Sequence, residues 1–448
     1  MTARALALAL ALICAAPRSA LAHAHLKRST PAAGAHVARP PAQLRLDFTE
    51  APELAVTAVH LRDADGREIA LGALAYASDR RTIVASITGA MEAGSYVVAW
   101  QTVGDDGHPV RGEFSFVVDT GNVVARATPA PVTRVSTPPT TREMPMLDVT
   151  SPAYVVVRWL DFVSLLLLIG AASFRQLVVT RVTAMEWDVA LREDVEARAA
   201  WIGTAAALVL LVTLVLRLGA QTYAMYGVHE GSSIASIGRM LRGTMWGWGW
   251  FLQLAGALVA YASFATERWR AAQLAAIACA VASALASHAA SVSQLRGVAI
   301  ASDAMHLLGA STWLGSLVVL LAAGMSTIAQ EAAAPRGPLV RALVNAFSPV
   351  ALASAGIVVA TGVIAAWLHV GAWQNLWSTR YGTVLLVKLA LVAATALVGF
   401  YNWRKVRPAL GTDDASRWLV RSARVEVTLA ALILVVTAVL VATPTSID

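Results

Sequence analysis

Asp106 and His108 set a carboxylate and an imidazole on either side of Gly107, within Asp105-Asp106-Gly107-His108-Pro109. The glycine lets the chain turn sharply enough for both side chains to aim at one point, although by itself such a segment reads as an ordinary surface turn. His23 changes that reading. Before it lie a basic Arg4, an apolar stretch from Ala5 to Ala16, Pro17 and the small-x-small run Ala20-Leu21-Ala22. This pattern predicts an export signal at 1–22, cut after Ala22 to expose His23 with a free amine; the apolar stretch is too short to span a bilayer comfortably. A terminal amine and an imidazole on one residue form a bidentate chelate. With the His108 imidazole and the Asp106 carboxylate they make a tetragonal N/O set that suits Cu(II), although zinc can use the same donor types in a tetrahedral arrangement.

His25 offers a competing mode. A histidine third from a free amine can bind Cu(II) through the amine, two deprotonated backbone amides and its own ring, which would leave Asp106 and His108 without a role. His36 and His60 read as ordinary exposed or strand histidines. Once 1–22 is removed, Cys279 is the remaining cysteine, so the exported part must fold without an internal disulfide.

The elements that must position these donors follow from the patterning. Residues 23–118 alternate apolar and polar side chains in short runs, as in Leu44, Leu46, Phe48 and in Phe114, Phe116, Val118, separated by turns such as Asp63-Ala64-Asp65-Gly66. Period two without a helical repeat predicts an all-β Greek-key sandwich or barrel. Residues 119–150, with Pro129, Pro131, Pro138 and Pro139, read as an extended linker.

Residues 151–448 are of another kind. The chain is 57% hydrophobic and 14% charged, too apolar for one soluble domain. Eight apolar stretches of spanning length, near 153–174, 200–219, 245–265, 271–290, 299–324, 345–370, 382–403 and 424–443, predict an all-α polytopic membrane domain of eight transmembrane helices. Lys and Arg concentrate in the loops after the first, third, fifth and seventh stretches, which orients those loops to the cytoplasm. The net charge of +7 thereby belongs to cytoplasmic loops rather than to a nucleic-acid-binding face. On this topology Trp246, Trp248 and Trp250 belong to the outer interface, and His229, His288, His306 and His369 all lie toward the outer side.

His288 and the pair Asp303 and His306 flank one short outer loop, and Asp303, His306, Ala310 and Trp313 share a helix face. Ionisable residues in a span mark function by default, so His288, Asp303 and His306 form the candidate membrane copper site. A plain i, i+3 hydrogen bond between Asp303 and His306 is the structural alternative. Met225, Met245 and Met305 could add soft Cu(I) ligands or serve as filler. Arg158 and Asp161 can pair at i, i+3, Arg217 can snorkel outward, and Cys279 reads as a small buried residue.

Two resemblances rest on these residues. His23-Ala24-His25-Leu26 through Ser29, Pro31 and Ala32, ending in Asp106-Gly107-His108-Pro109-Val110-x-Gly-x-Phe-x-Phe-Val, resembles the periplasmic copper-binding protein CopC over nearly all of 23–118. The resemblance implies Cu(II) at His23, Asp106 and His108; with Met91 the lone methionine of the domain, a methionine-rich Cu(I) site is not expected. Residues 150–443 resemble CopD, its inner-membrane partner, through Ser287-His288-Ala289, Asp303-x-x-His306-x-x-Gly-Ala-x-x-Trp313-Leu314-Gly315, Phe347-Ser348-Pro349, Tyr381-Gly382 with Lys388, and Arg424 with Glu426. A fusion of the two implies a non-enzymatic copper homeostasis protein of the bacterial inner membrane, its N-terminal domain in the periplasm, with copper ions, lipid and other periplasmic copper proteins as partners. Alternatives are a haem- or copper-dependent membrane redox protein, with His288, His306 and His369 as haem ligands, and a membrane-anchored buffer or sensor. No Gly-x-x-x-x-Gly-Lys-Ser/Thr loop supports ATP-driven pumping.

Overall fold

A computed structural model describes residues 25–104, 109–119, 152–183, 185–287, 295–331, 335–370, 372–410, 413–441 and 443. The chain divides into two compact units: one contains the strands together with residues 222–244, the other the remaining helices.

Among the described residues, the strands of the first unit are nine: β1 (Leu26–Thr30), β2 (His36–Val37), β3 (Gln43–Phe48), β4 (Ala58–Asp63), β5 (Glu68–Ile69), β6 (Ala75–Tyr76), β7 (Thr82–Ser86), β8 (Gly94–Val103) and β9 (Pro109–Val118). They form a four-stranded sheet in the order β1-β3-β7-β6 and a five-stranded sheet in the order β2-β9-β8-β4-β5. The pairings are antiparallel except β2 with β9. The alternation read from the sequence sets the faces. Leu44, Leu46 and Phe48 point into the core, while Arg45 and Asp47 turn to the other face and hydrogen-bond to each other at 3.1 Å. Opposite them, Tyr96, Val98 and Trp100 of β8 and Phe116 and Val118 of β9 complete the core. Burying an apolar side chain of this size contributes about 1.5–3 kcal/mol.

Gly112 has a specific reason. It sits opposite Trp100 in the β8–β9 ladder, and a Cβ there would lie 2.7 Å from the indole ring. The absence of a side chain lets Trp100 lie across β9 and meet Phe48 edge-on at 5.2 Å.

The second unit carries helices α1 (Pro152–Ser173), α2 (Val189–Glu230), whose C-terminal end passes into the first unit, α4 (Met245–Ala265), α5 (Trp269–Leu285), α6 (Arg296–Ala310), α7 (Arg336–Val370), α8 (Asn375–Ser378), α9 (Arg380–Tyr401) and α10 (Asp413–Val441); α3 (Ile234–Gly243) belongs to the first unit. Among the described residues, seven segments are long and apolar enough to cross a membrane. The remaining stretch of the eight, near 271–290, forms α5, an apolar helix of 17 residues. α6 runs on through wider turns at Ser311–Gly315 and Leu320–Met325 to Gln330 as one span. It crosses α1 with the backbones in contact: an added Cβ on Gly315 would fall on the Leu166 carbonyl, and Ser316 Oγ donates to Gly170 O at 3.2 Å. Small residues allow this approach where lipid supplies no hydrophobic drive between helices.

The charges of α1 and α2 differ from the sequence expectation. Arg217 does not snorkel outward but turns in to Asp161, Nη1 to Oδ2 at 3.1 Å, with Thr213 Oγ1 donating to Asp161 Oδ1 at 3.3 Å. Arg158 stacks over Tyr154 at 4.7 Å instead of holding Asp161. An isolated carboxylate at this depth costs more than drawing a guanidinium inward to meet it, and the neighbouring helix supplies the better geometry.

Candidate functional site

His23, Asp106, His108 and His288 lie outside the described residues, as do the expected export signal and all but the first residue of the expected linker. The elements that lead to them are described.

β8 and β9 pair without interruption over ten residues each, from Gly94↔Val118 to Val103↔Pro109, and residues 105–108 between them lie outside the described residues. In sequence, Asp106 and His108 fall between Val103 and Pro109, the pair that ends the longest ladder of the sandwich. Leu26, three residues after His23, and Val110, two after His108, pack against the same core cluster of Leu46, Phe48, Ile83 and Trp100. The start of β1 and the start of β9 thus converge on one cluster of the core.

The start of β1 also bears on His25. Its N–H donates to Thr49 Oγ1 at 3.0 Å and its carbonyl accepts from Thr49 N at 2.9 Å. Chelation through the backbone requires the His25 amide to surrender its proton to copper, and here that proton is committed to Thr49. The fold therefore opposes the His25 mode. His36 and His60 are exposed and bonded to Asp119 and Glu68, as strand histidines. The contact with His60 holds the Glu68 carboxyl below the usual carboxylate range.

Residues 222–244 are part of this unit. Arg111 Nη2 donates to Ala224 O at 3.0 Å, and the Gln101 amide donates to the Met225 carbonyl and lies 3.5 Å from its thioether sulfur. Gln101 and Arg111 are opposite each other in the β8–β9 ladder. Met225, a soft donor on the sequence evidence, is buried there.

In the second unit Asp303 and His306 sit on α6, but their hydrogen bonds run to other segments rather than to each other. Asp303 Oδ2 accepts from Ser287 Oγ at 2.8 Å, and His306 Nδ1 is 2.9 Å from Thr361 Oγ1 on α7. Thr361 gives its own proton to Ile357 O at 2.7 Å, so its hydroxyl accepts from Nδ1–H. That assigns the proton to Nδ1 and makes Nε2 the nitrogen with a lone pair for a metal. Ser287, immediately before His288, touches Asp303, which brings the α5–α6 connection to this pair. Lys388 of α9 is half-buried and acts electrostatically on both Asp303 and His306. Among the described residues no three His, Cys, Asp or Glu side chains gather as a metal set, so Asp303 and His306 need a further donor.

Thr361 escaped the sequence reading because a hydroxyl in an apolar helix carries no distinctive signal, whereas Ser287 stands in the quoted Ser287-His288-Ala289 motif without a partner named for it. Lys388 had one, an ionisable residue within an otherwise uncharged stretch, and its neighbours could not be named without the packing. Cys279 is buried, with its sulfur against α4, as a packing residue.

The family profile of the CopC domain matches residues 26–119, that of the copper resistance protein D-like N-terminal domain residues 146–298, and that of copper resistance protein D residues 341–440. Copper transport protein CutJ of Bacillus subtilis (strain 168) is 25% identical over 407 residues, covering 87% of this chain and 69% of CutJ. Protein YobA of Escherichia coli (strain K12) is 32% identical over 120 residues, 26% of this chain and 97% of YobA. Among solved structures, PcoC, a copper resistance protein from Escherichia coli, shares 28% identity over 21% of this chain and 99% of its own, with a TM-score of 0.20. These matches place a CopC domain ahead of copper resistance protein D-like domains, the class of copper resistance and transport proteins. The chain belongs to the CopC–CopD family and is a fusion of the two domains.

Proposed function

We propose that this chain captures Cu(II) in the periplasm through His23, Asp106 and His108 and passes copper to the helical domain, where Asp303 and His306, with His288, receive it for import across the bacterial inner membrane. Copper is cargo here, not the cofactor of a reaction. The supporting observation is that residues 222–244, the segment joining the second and third spans, belong to the same compact unit as the sandwich and bond to Gln101 and Arg111 of the copper-turn hairpin. The Met225 thioether in that segment lies 3.5 Å from Gln101 of the hairpin and is a donor suited to Cu(I), so it would take copper only after one-electron reduction by an external reductant. Fusion of donor and receiver raises the local metal concentration to roughly the millimolar range expected of short tethers. As a third ligand, Asp106 occupies the position that oxygen activation requires open, which favours delivery over oxidative catalysis.

Copper uptake into membrane vesicles, measured with and without reductant, tests the reading. The wild type accumulates copper in the lumen continuous with the cytoplasmic face, and the Asp303→Ala/His306→Ala variant still binds one Cu(II) per chain but does not accumulate it. Accumulation at the wild-type rate in that variant overturns transport through this pair.

A further inference from the structure

Two cavities of the helical unit meet at Trp403 and Arg407. One is a cleft of about 500 Å³ whose polar wall is Arg341, Asn345, Arg404 and Arg407. The other is a cavity of about 400 Å³ with an apolar wall that includes Trp313, Phe347, Leu352 and Phe400. Two of the arginines are held in place: Arg341 donates to the Leu410 carbonyl, and Arg407 Nε donates to Asn345 Oδ1 at 2.9 Å. Among the described residues, none of the three guanidiniums is paired with a carboxylate. The carboxyl on the apolar wall, Glu426, accepts a 2.6 Å hydrogen bond from Asn402 Nδ2. Arg404 and Arg407 follow directly on the last apolar residues of α9, the level at which a span meets lipid headgroups.

A guanidinium cluster presents planar, bidentate donors to phosphate oxygens. An adjoining cavity walled by aromatic and aliphatic side chains suits hydrocarbon and has no use for a free ion. We infer that the joined cavities form a binding site for an anionic phospholipid, with the phosphodiester among Arg341, Arg404 and Arg407 and the proximal part of an acyl chain against Trp313, Phe347 and Phe400. Basic pockets between membrane helices are the general form of such sites. Half-exposed Trp403, common to both cavities, lines the junction of headgroup and chain. The site is separate from the copper ligands, so its failure leaves the transport reading untouched.

The full-length protein, released from nanodiscs of phosphatidylcholine with or without phosphatidylglycerol, is examined by native mass spectrometry for retained lipid. The wild type retains phosphatidylglycerol over phosphatidylcholine by roughly a hundredfold, a factor of about five for each of three guanidiniums. Arg341→Gln/Arg404→Gln/Arg407→Gln brings the ratio to near parity, whereas Lys405→Gln, outside the cleft, keeps most of it. Gly399→Leu changes no charge and fills the apolar cavity from a position where a Cβ meets nothing closer than Glu426 at 3.8 Å. It lowers retention several-fold and decides the matter if the triple variant does not fold. Wild-type retention of phosphatidylglycerol in Gly399→Leu, or wild-type selectivity in the folded triple variant, overturns the site. So does inorganic phosphate that shifts the thermal midpoint of phosphatidylcholine-only protein as far as phosphatidylglycerol does, because that marks a soluble-anion site.

Discussion

The sandwich leaves its ion pairs in water, whereas the helical unit buries its own. His60 and Glu68 meet on the surface of β4 and β5 with side chains 47% and 59% exposed; Asp161 and Arg217 meet between α1 and α2 at 3% and 13%. The same attraction is screened in the first case and barely screened in the second. Polar groups in the sandwich can therefore be lost one at a time, because water takes over. In the helical unit they hold one another: Asp303 accepts from Ser287 in the α5–α6 connection, and His306 bonds to Thr361 of α7.

The largest effect that follows is at Asp161. Replacing it with Ala strands Arg217 beside Arg158 and should cost about 3–5 kcal/mol of stability, the range for breaking one side of a buried pair. The thermal midpoint of the full chain in detergent measures it. An Asp161→Leu/Arg217→Leu double variant should recover much of the loss, since removing both charges removes the desolvation cost as well. A single variant that melts with the wild type would erase the distinction between the two units.

Next comes the terminal chelate. One residue added before His23 should weaken Cu(II) binding by more than about 100-fold, beyond what losing a group that only orients a ligand costs. His25→Ala, by contrast, should leave affinity within about twofold, less than 0.5 kcal/mol on the binding scale. Calorimetry with copper and a competing chelator reads both. Equal losses would return the site to the His25 mode and contradict the hydrogen bond from His25 N to Thr49.

Thr361→Val then tests whether the helical unit depends on supporting partners as its buried pair does. It removes the acceptor of His306 Nδ1–H while keeping side-chain volume, and copper accumulation should fall about 10–100-fold. Thr361→Ser should restore most of it. Accumulation unchanged in the valine variant would detach His306 from copper handling.

Particular residues show what was readable beforehand. Leu44, Leu46 and Phe48 announced a sheet face because alternation is a local property, and all three are buried. Gly112 belonged to the motif without a stated reason, which appeared only when Trp100 was placed across from it. The spans were legible from length and composition, and α5 fell short because its helix covers 17 residues of a longer apolar stretch. Trp246, Trp248 and Trp250 illustrate the limit. They were expected together at the interface, yet Trp246 and Trp250, at i and i+4, turn inward, with Trp250 Nε1 donating to Leu214 O at 2.9 Å, and Trp248 alone is exposed. Composition locates an aromatic cluster, whereas helical phase and packing decide which rings meet lipid. Arg217 was misplaced for the same reason, since its partner lies on another helix.

The smallest effect should be found at Glu68, on the water-exposed side of the comparison. The His60 contact lowers the Glu68 pKa, so the folded state favours the ionised carboxylate more than the unfolded chain does. The stabilisation is therefore present above the ordinary Glu value of about 4.3 and is lost as pH falls through the lower folded value. Glu68→Gln should be barely distinguishable from wild type at pH 7, because a solvated pair contributes little. Whatever difference exists should vanish in acid. Thermal unfolding of the β domain across pH 3–7, followed in the full chain by its buried Trp100, measures this. A deficit in the variant that persists unchanged at pH 3 would mean that Glu68 acts through packing rather than charge, and an exposed residue of the sandwich would then behave like the buried ones of the helical unit.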